Sequence, residues 1–350
     1  MNTLSSQSIL FSLLDKNREF ALDARGTTNH CPMALSALAK MGASDQQLQN
    51  FYDFWSQKFC LPRDQNGCHG GIQGWKASLG RREDFHALQG YFQAEIEVCS
   101  VQKVLIDVLD ASVFAPATGA FHALIRLSYG LEVGHKGEVA AGLAFLVCAN
   151  LVLAQPQVVP PKSDLPDTQS VAQRFSLFHR QFRDVNFEAD SITTRLQLVA
   201  NDRIFWQTHT QMGELGNTQS LIDDMAVVAI RLYIQTKNFT VLHMVTGVAA
   251  LRVLLNSEPT LNQTRIIESF WLAFCAAYVS VGAPALLEDE GVMGVSEHKS
   301  EGESAWLKYM ELARGSKDDH VIELTYTCWS EDRQRRLPYY LQAMAVLHGQ

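Results

Sequence analysis

The sequence lacks the short motifs that usually identify nucleotide-dependent and hydrolytic enzymes. It contains no GxGxxG fingerprint of a nicotinamide or flavin site and no GxxxxGK[ST] phosphate-binding loop. It also contains no GxSxG nucleophile turn and no HExxH zinc motif. Any redox chemistry must therefore depend on something other than a nucleotide cofactor held by one of these motifs.

Paired cysteines and a cationic leader are also missing. The seven cysteines form an odd set without a CxxC spacing, so they indicate neither a disulfide framework nor a zinc site. Residues 1–16 carry no positive charge ahead of their apolar stretch, unlike a secretory signal peptide. We therefore expect reduced thiols and a cytoplasmic location.

Positive charge is in the minority. The chain has 29 Lys and Arg against 37 Asp and Glu, which gives a net charge of −8. Such an acidic chain without a basic face argues against nucleic acid or an anionic membrane as partner. The apolar stretches 139–154 and 270–287 are too short or too interrupted to cross a bilayer, so we expect buried core helices there.

The sequence predicts an all-α protein, because strict two-residue alternation of apolar side chains is almost absent. Ser44 and Gln47 form a capping-box pattern at the start of one helix. A second helix is expected from Phe85 to about Leu109. Further helices are expected at roughly 115–131, 137–154, 168–183, 190–210, 217–236, 239–256, 261–281, 303–314, 319–332 and 338–348.

One segment divides this helical pattern. Residues 155–170 hold four of the ten prolines and cannot be helical throughout. We therefore expect a single globular unit of two packed helical halves, 1–154 and 171–350, joined by this proline-rich connection.

The positive signal is a set of four histidines in apolar helical segments: His30, His122, His243 and His320. Each is expected to open a helix, and the apolar surroundings of His122 and His243 predict burial. A buried imidazole needs a polar partner. Two of the four belong to each half, which predicts a shared site at the interface between the halves.

His320 and Glu323 extend this set, since residues at i and i+3 share one helix face. Imidazole nitrogens with one carboxylate suit Fe(II), Mn(II), Zn(II) or Ni(II). Four histidines and Glu323 would leave an octahedral iron with one open position. The alternative from spacing alone is that each histidine is a satisfied core residue and that His320 and Glu323 share a hydrogen bond at a helix start.

In these same segments the chain resembles the questin oxidase-like family, all-α proteins known from fungal polyketide pathways and from bacteria. The resemblance extends from about residue 25 to 330, and no one motif in it is specific alone. The residues that carry it are Asn29-His30-Cys31-Pro32-Met33-Ala34, Trp75, His122, Ile125-Arg126-Leu127, Tyr129-Gly130, Leu242-His243-Met244-Val245-Thr246-Gly247, Ala250-Leu251-Arg252 and Asp319-His320-Val321-Ile322.

The resemblance implies a mono- or dioxygenase that uses O2 to open a ring of a polycyclic aromatic ketone, such as an anthraquinone, by C–C cleavage. Family members have been described as non-haem iron oxygenases and as NADPH-linked Baeyer–Villiger-type oxidases. The missing nucleotide fingerprints favour the metal version, with Fe(II) expected and the four histidines as its ligands. The family often carries Lys at the position of Glu323. In this chain Glu323 would serve as fifth ligand or as a base behind the ligands.

Three further residues are candidates for substrate binding. Arg126 could pair with an anionic substrate oxygen, and Trp75 and Tyr129 could stack on a flat ring. Alternatively, Arg126 pairs with a carboxylate and both aromatic rings only pack. The remaining histidines, among them His135 and His209, are expected to be solvated.

Two other functional classes stay open. A metal-free helical binding protein would use the four histidines as structural residues, and a zinc or nickel hydrolase would use the same ligands without O2. Metal content separates the three hypotheses.

Overall fold

The computed structural model of the protein describes residues 3–63, 72–110, 114–153, 170–212, 215–287 and 299–349. Within these residues it contains sixteen α-helices and one small sheet, which confirms the predicted all-α class. The helices are α1 (Thr3–Asn17), α2 (Cys31–Lys40), α3 (Asp45–Lys58), α4 (Phe85–Val98), α5 (Val101–Leu109), α6 (His122–Val133), α7 (Lys136–Cys148), α8 (Val171–Phe182), α9 (Ile192–Ala200), α10 (Arg203–Thr210), α11 (Thr218–Thr236), α12 (Phe239–Ser257), α13 (Gln263–Ser280), α14 (Lys299–Gly315), α15 (Asp319–Arg335) and α16 (Pro338–Leu347).

Local capping signals set several helix boundaries. The predicted capping box of α3 is present, with the Ser44 hydroxyl accepting from Gln47 N–H and the Gln47 side chain accepting from Ser44 N–H. The single helix predicted from 85 to 109 is wrong, because Ser100 caps a new helix, α5, after α4 ends. The helix predicted over 190–210 is likewise divided, since Asp202 accepts from two backbone N–H groups and starts α10.

A small antiparallel sheet was not expected from the sequence. Its strands are β1 (Phe20–Ala24), β2 (Thr27–Thr28) and β3 (Cys60–Pro62), in the order β2-β1-β3. Strands of two, three and five residues are too short to show a clear alternation of apolar side chains.

Helix α6 packs between α7 and α12, and most residues of the three helices are buried. Close packing of α6 on α7 depends on Gly142, where a Cβ would lie 2.6 Å from Leu127 Cα. Helix α6 also packs on α2 and α12, and α15 packs on α2 and α12. Elements of both predicted halves therefore meet around α6 and α12, although the division into halves itself stays a prediction.

Two buried arginine–glutamate pairs fix these helices against one another. Arg126 of α6 donates to both carboxylate oxygens of Glu138 on α7, at 2.7 and 3.1 Å. Arg252 of α12 donates to both oxygens of Glu331 on α15, at 3.0 and 3.2 Å. Breaking such a buried pair by removing one partner typically costs about 3–5 kcal/mol, so both pairs hold their helices in register.

One helix of the described chain, Phe239–Ser257, is long and apolar enough to cross a membrane by length and composition. In this fold 78% of its apolar window is buried among other helices. The two stretches first considered for a membrane lie elsewhere, largely in α7 and α13. Most of the predicted proline-rich connection lies outside the described residues.

Candidate metal centre

The four histidines lie at or near the N-terminal ends of four different helices. His30 is the N-cap residue of α2, His122 is the first residue of α6 and His320 is the second residue of α15. His243 differs from the prediction, because Asn238 caps α12 and places His243 one turn inside it. Helix N-termini carry partial positive charge, which disfavours protonated imidazole and favours neutral rings.

The four rings are neighbours in space, and we call them the histidine cluster. Ring centroids are 4.4 Å apart for His30 and His122, and 4.6 Å apart for His122 and His243. They are 5.5 Å apart for His243 and His320, and 4.6 Å apart for His320 and His30. The rings thus form a closed circuit with a common centre, in which His30, His122 and His243 are buried and His320 has 19% of its side chain exposed.

The Nδ1 atom of each histidine has an oxygen partner outside this circuit. In His122 it faces the backbone oxygen of Gly119, and in His243 it lies 2.7 Å from the backbone oxygen of Phe239. A carbonyl oxygen only accepts, so each of these nitrogens carries the ring proton. Both Nε2 atoms are then left with a bare lone pair.

The other two rings are held by carboxylates. His30 Nδ1 lies 3.2 Å from Glu323 Oε1 and 3.3 Å from Asp319 Oδ2. His320 Nδ1 lies 3.4 Å from Asp319 Oδ1. Histidines that bind metals almost always have their second nitrogen held in this way, by a carboxylate or a backbone carbonyl.

The Nε2 atoms provide the main argument for a metal. His122 Nε2 and His243 Nε2 lie only 2.9 Å apart, although both are acceptors when Nδ1 carries the proton. The Nε2 atoms of His30 and His320 are buried and have no hydrogen-bond partner in the described structure. Unpaired buried polar atoms are costly, and a cation bound by these lone pairs would satisfy them. The residues present therefore fit a divalent transition metal.

Among the described residues, three overlapping groups of side chains could hold a metal ion. His30, His122 and His320 offer ligand atoms within 4.8 Å of one another, and so do His30, Asp319 and Glu323, the third group being Asp318, Asp319 and His320. None of the three contains His243, which reaches the cluster through the contact of its Nε2 with His122 Nε2. The contact of Glu323 with His30 Nδ1 places this carboxylate behind a histidine. Of the two roles predicted for Glu323, the geometry favours the one behind the ligands, and both stay predictions.

The pKa shifts agree with neutral ligands at the centre. Burial and repulsion from the neighbouring imidazoles lower the pKa of His122 well below its usual value. Burial and the nearby His320 lower the pKa of His243 to about 3. Neutral imidazole is the form that binds metals, so both rings are ready to do so at neutral pH.

The pKa values of Asp319 and Glu323 shift in opposite directions, and the pKa of His320 is raised. Burial raises the pKa of Asp319, but the hydrogen bond with His320 and the positive charge of His30 and His320 outweigh it and lower the pKa to about 2. Burial lowers the pKa of His320, but Asp319 reverses this and raises it. Burial raises the pKa of Glu323, and His30 offsets only part of the effect.

A strained turn sets the position of His122. Gly119, Ala120 and Phe121 all have left-handed backbone angles, with φ of 59°, 57° and 72°. Such angles are unfavourable for a bulky residue like Phe121 and cluster at functional sites. Gly119 is also required sterically, since a Cβ there would lie 2.5 Å from the ring of Phe145. The turn explains why α6 starts at His122 and not at the predicted residue 115.

Phe239 lies on an exposed side of the histidine cluster. The residue is 52% exposed, and its ring centroid lies 4.6 Å from that of His243 and 4.7 Å from that of His320. An approaching molecule would therefore meet this ring beside the two histidines.

A cavity of about 300 Å³ lies further along α6, α12 and α15. It is lined by Tyr129 and Tyr326, whose rings are 5.7 Å apart, and by the hydroxyls of Thr246 and Thr327. The Tyr326 hydroxyl donates to Glu132 at the wall, at 2.8 Å. Its lining combines aromatic faces with hydroxyl groups, which suits a flat molecule that carries oxygen atoms.

The three residues predicted to bind substrate lie in different surroundings. Tyr129 lines the cavity, and Glu323 raises its pKa in addition to burial. Arg126 does not line it, because its guanidinium is engaged by Glu138. Trp75 lies in a short 3-10 helix beside α4 and α7, with Lys76 over its ring. The substrate roles of all three stay predictions, and the geometry favours only that of Tyr129.

Sequence reasoning missed two residues of the site and misjudged other histidines. Asp319 was named only among the residues that carry the family resemblance, without a role at the site, and nothing in the spacing pointed to Phe239. His135 is not solvated, since it is 5% exposed and caps α7 through Nδ1. His209 is not solvated either, and burial lowers its pKa to about 4.

Comparison with known proteins agrees with this picture. A family model described as questin oxidase-like matches residues 27–328, a range that contains all four histidines, Asp319 and Glu323. No curated protein matches the chain.

Proposed function

The chain belongs to the questin oxidase-like family, and from this premise we propose that it is a non-haem iron oxygenase. The family implies an oxidoreductase that acts on a small molecule with O2. Our proposal is that the substrate is a polycyclic aromatic ketone of the quinone type and that the reaction cleaves a C–C bond of one ring.

The observation that carries the proposal is the arrangement of the four Nε2 atoms. Two face each other at 2.9 Å and two are buried without a partner, while every Nδ1 faces an oxygen outside the circuit. His30, His122, His243 and His320 would hold the iron. The ion would supply activation of O2 and polarisation of a substrate oxygen.

The protein prepares this site in three ways. The contacts of the Nδ1 atoms fix which nitrogen of each ring is free, so the rings need not turn when the metal binds. Burial of the rings excludes water from most sides, and the partial positive charge of the helix N-termini favours an anionic oxygen nearby. Phe239, half exposed beside His243 and His320, offers an aromatic face to a flat substrate.

Glu323 is placed to hold a proton close to the reacting groups. Its carboxyl group is buried, its Oε1 lies 3.2 Å from His30 Nδ1, and burial raises its pKa. A buried carboxyl whose pKa is raised can hold a proton and act as an acid or base. In the proposed reaction, Glu323 exchanges a proton at Oε1 with His30 Nδ1.

The test is O2 uptake by anaerobically reconstituted protein. Wild type loaded with Fe(II) should consume O2 when a hydroxylated anthraquinone is added, and mass spectrometry should show a ring-opened product. His243→Leu should show neither. O2 uptake that is unchanged in His243→Leu, or that proceeds without iron, contradicts the proposal.

The same assay separates the other functional classes. A protein that takes up zinc and hydrolyses a substrate without O2 would be a hydrolase. A protein that binds the anthraquinone but no metal after reconstitution would be a binding protein with structural histidines.

A further inference from the structure

One carboxylate contacts two histidines of the cluster at once. Asp319 lies in the first turn of α15, with Oδ2 3.3 Å from His30 Nδ1 and Oδ1 3.4 Å from His320 Nδ1. Its side chain is 16% exposed. It thereby joins the N-cap residue of α2 to the first turn of α15.

The two contacts determine which nitrogen of each ring is free. A carboxylate oxygen accepts and cannot donate, so Asp319 favours a proton on Nδ1 of each ring, and Nε2 is then the free nitrogen of the neutral ring that binds a metal. The Nε2 atoms of His30 and His320 are the two that have no partner in the described structure. Asp319 therefore favours the same tautomer in two rings of the cluster, and for His30 it does so together with Glu323.

The two rings do not depend on Asp319 equally. Glu323 Oε1 is a second acceptor for His30 Nδ1, at 3.2 Å. For His320 the next carboxylate oxygen, Oδ1 of Asp318, is 4.0 Å away, which is too long for a hydrogen bond. Loss of the Asp319 carboxylate should therefore affect His320 more than His30.

We propose that Asp319 is a positioning residue that orients His30 and His320 together, so that their Nε2 atoms converge on a bound metal. This inference rests on the proposed function, because it assumes that the cluster binds a divalent ion. It assigns Asp319 to no step of the reaction.

Asp319→Asn is the variant that tests it, and Asp318→Asn is the matched control. Asparagine has one acceptor oxygen and one NH2 group, so it can satisfy only one of the two rings. Asp318 is the exposed N-cap residue of the same helix, and asparagine caps helices as well as aspartate does. Both variants remove one negative charge at neighbouring positions, so a difference between them reflects the contacts and not the charge alone.

The first measurement is the affinity for Co(II), titrated by its visible absorbance in competition with a chelator. Loss of an outer partner of a metal-bound histidine typically weakens metal binding by about 10–100-fold. We expect a loss of that size in Asp319→Asn and wild-type affinity in Asp318→Asn. Equal affinity in wild type and Asp319→Asn would overturn the inference.

The second measurement needs no metal. Histidine ring nitrogens observed by ¹H–¹⁵N NMR, at a pH above the raised pKa of His320 so that its ring is neutral, should show His320 protonated at Nδ1 in wild type and in Asp318→Asn, and a different tautomer or a mixture in Asp319→Asn. An unchanged His320 tautomer in Asp319→Asn would also overturn the inference. If wild type binds neither Co(II) nor Fe(II), the proposed function fails, and the NMR result still shows whether Asp319 sets the tautomer.

Asp319→Glu serves as a second variant if Asp319→Asn does not fold. It keeps the carboxylate but moves its oxygens by one methylene, so we expect Co(II) affinity between those of wild type and Asp319→Asn. Full wild-type affinity in Asp319→Glu would mean that the negative charge suffices and that the two contacts of Asp319 with the histidines do not matter.

Discussion

Replacing His243 with leucine should have opposite effects on the metal-free and the metal-bound protein. Leucine has a similar volume but no ring nitrogen, so the facing Nε2 pair of His122 and His243 disappears. In the metal-free protein this removes a costly contact between two buried acceptors, and we expect unchanged or higher stability. In the presence of metal the variant loses one ligand, and we expect it to lose the stabilisation that binding provides.

The size of that stabilisation follows from linkage. A ligand present at about 100 times its Kd stabilises the folded state by about 2.7 kcal/mol. The unfolding entropy is about 2.1 cal/mol/K per residue, so a chain of 350 residues has a total unfolding entropy of roughly 0.7 kcal/mol/K. Saturating metal should therefore raise Tm by about 4 °C in wild type.

Differential scanning fluorimetry with and without Fe(II) or Co(II), under anaerobic conditions, measures this shift. His209→Leu is the matched control, because His209 also has a buried Nε2 without a partner but does not belong to the histidine cluster. The shift should be about 4 °C in wild type and in His209→Leu, and about zero in His243→Leu. An equal shift in wild type and His243→Leu would refute the assignment of His243.

Three further predictions concern the turn, the buried ion pairs and pH. Gly119→Ala should destabilise the protein by roughly 2–4 kcal/mol, since a left-handed alanine is strained and its Cβ meets Phe145. Urea unfolding measures this change, and a loss of stability below about 1 kcal/mol would contradict the prediction. Glu138→Gln should lower the unfolding free energy by about 3–5 kcal/mol in the same assay, because it leaves the buried guanidinium of Arg126 without its carboxylate. An almost unchanged unfolding free energy would show that the Arg126 charge is solvated by water instead. The lowered pKa values of His122 and His243 mean that the unfolded chain takes up protons below about pH 6.5 and the folded chain does not, so the metal-free protein should lose stability as pH falls from 7.5 to 5. His243→Leu should remove about 2 kcal/mol of that loss, and an identical pH dependence in the variant would disprove the shift for His243.

The fold class and many helix boundaries could be predicted because they depend on local signals. The capping box at Ser44 and the apolar period of each helix involve residues that are neighbours along the chain. The breaks at Ser100 and Asp202 were missed, although both are good N-cap residues, because the apolar period continues across them. The sheet was missed because its strands are shorter than the pattern that identifies them.

The site was only partly predictable, for a different physical reason. The four histidines could be identified as a set, and the structure brings them together with His320 partly exposed, but their ligation of a metal stays a prediction. The partners of their Nδ1 atoms come from tertiary contacts, such as that of His30 with Asp319 on a helix far along the chain. The strained turn at Phe121 also left no trace in the sequence pattern, since a left-handed phenylalanine is stabilised only by the surrounding fold.

The most direct test of the central claim is the iron content of protein purified without an affinity tag and reconstituted anaerobically with Fe(II). Elemental analysis should find one iron ion per chain in wild type and none in His320→Ala, while circular dichroism shows that both remain helical. Wild-type protein that holds no iron under these conditions, or a His320→Ala variant that holds as much as wild type, would contradict the assignment of the histidine cluster as an iron site.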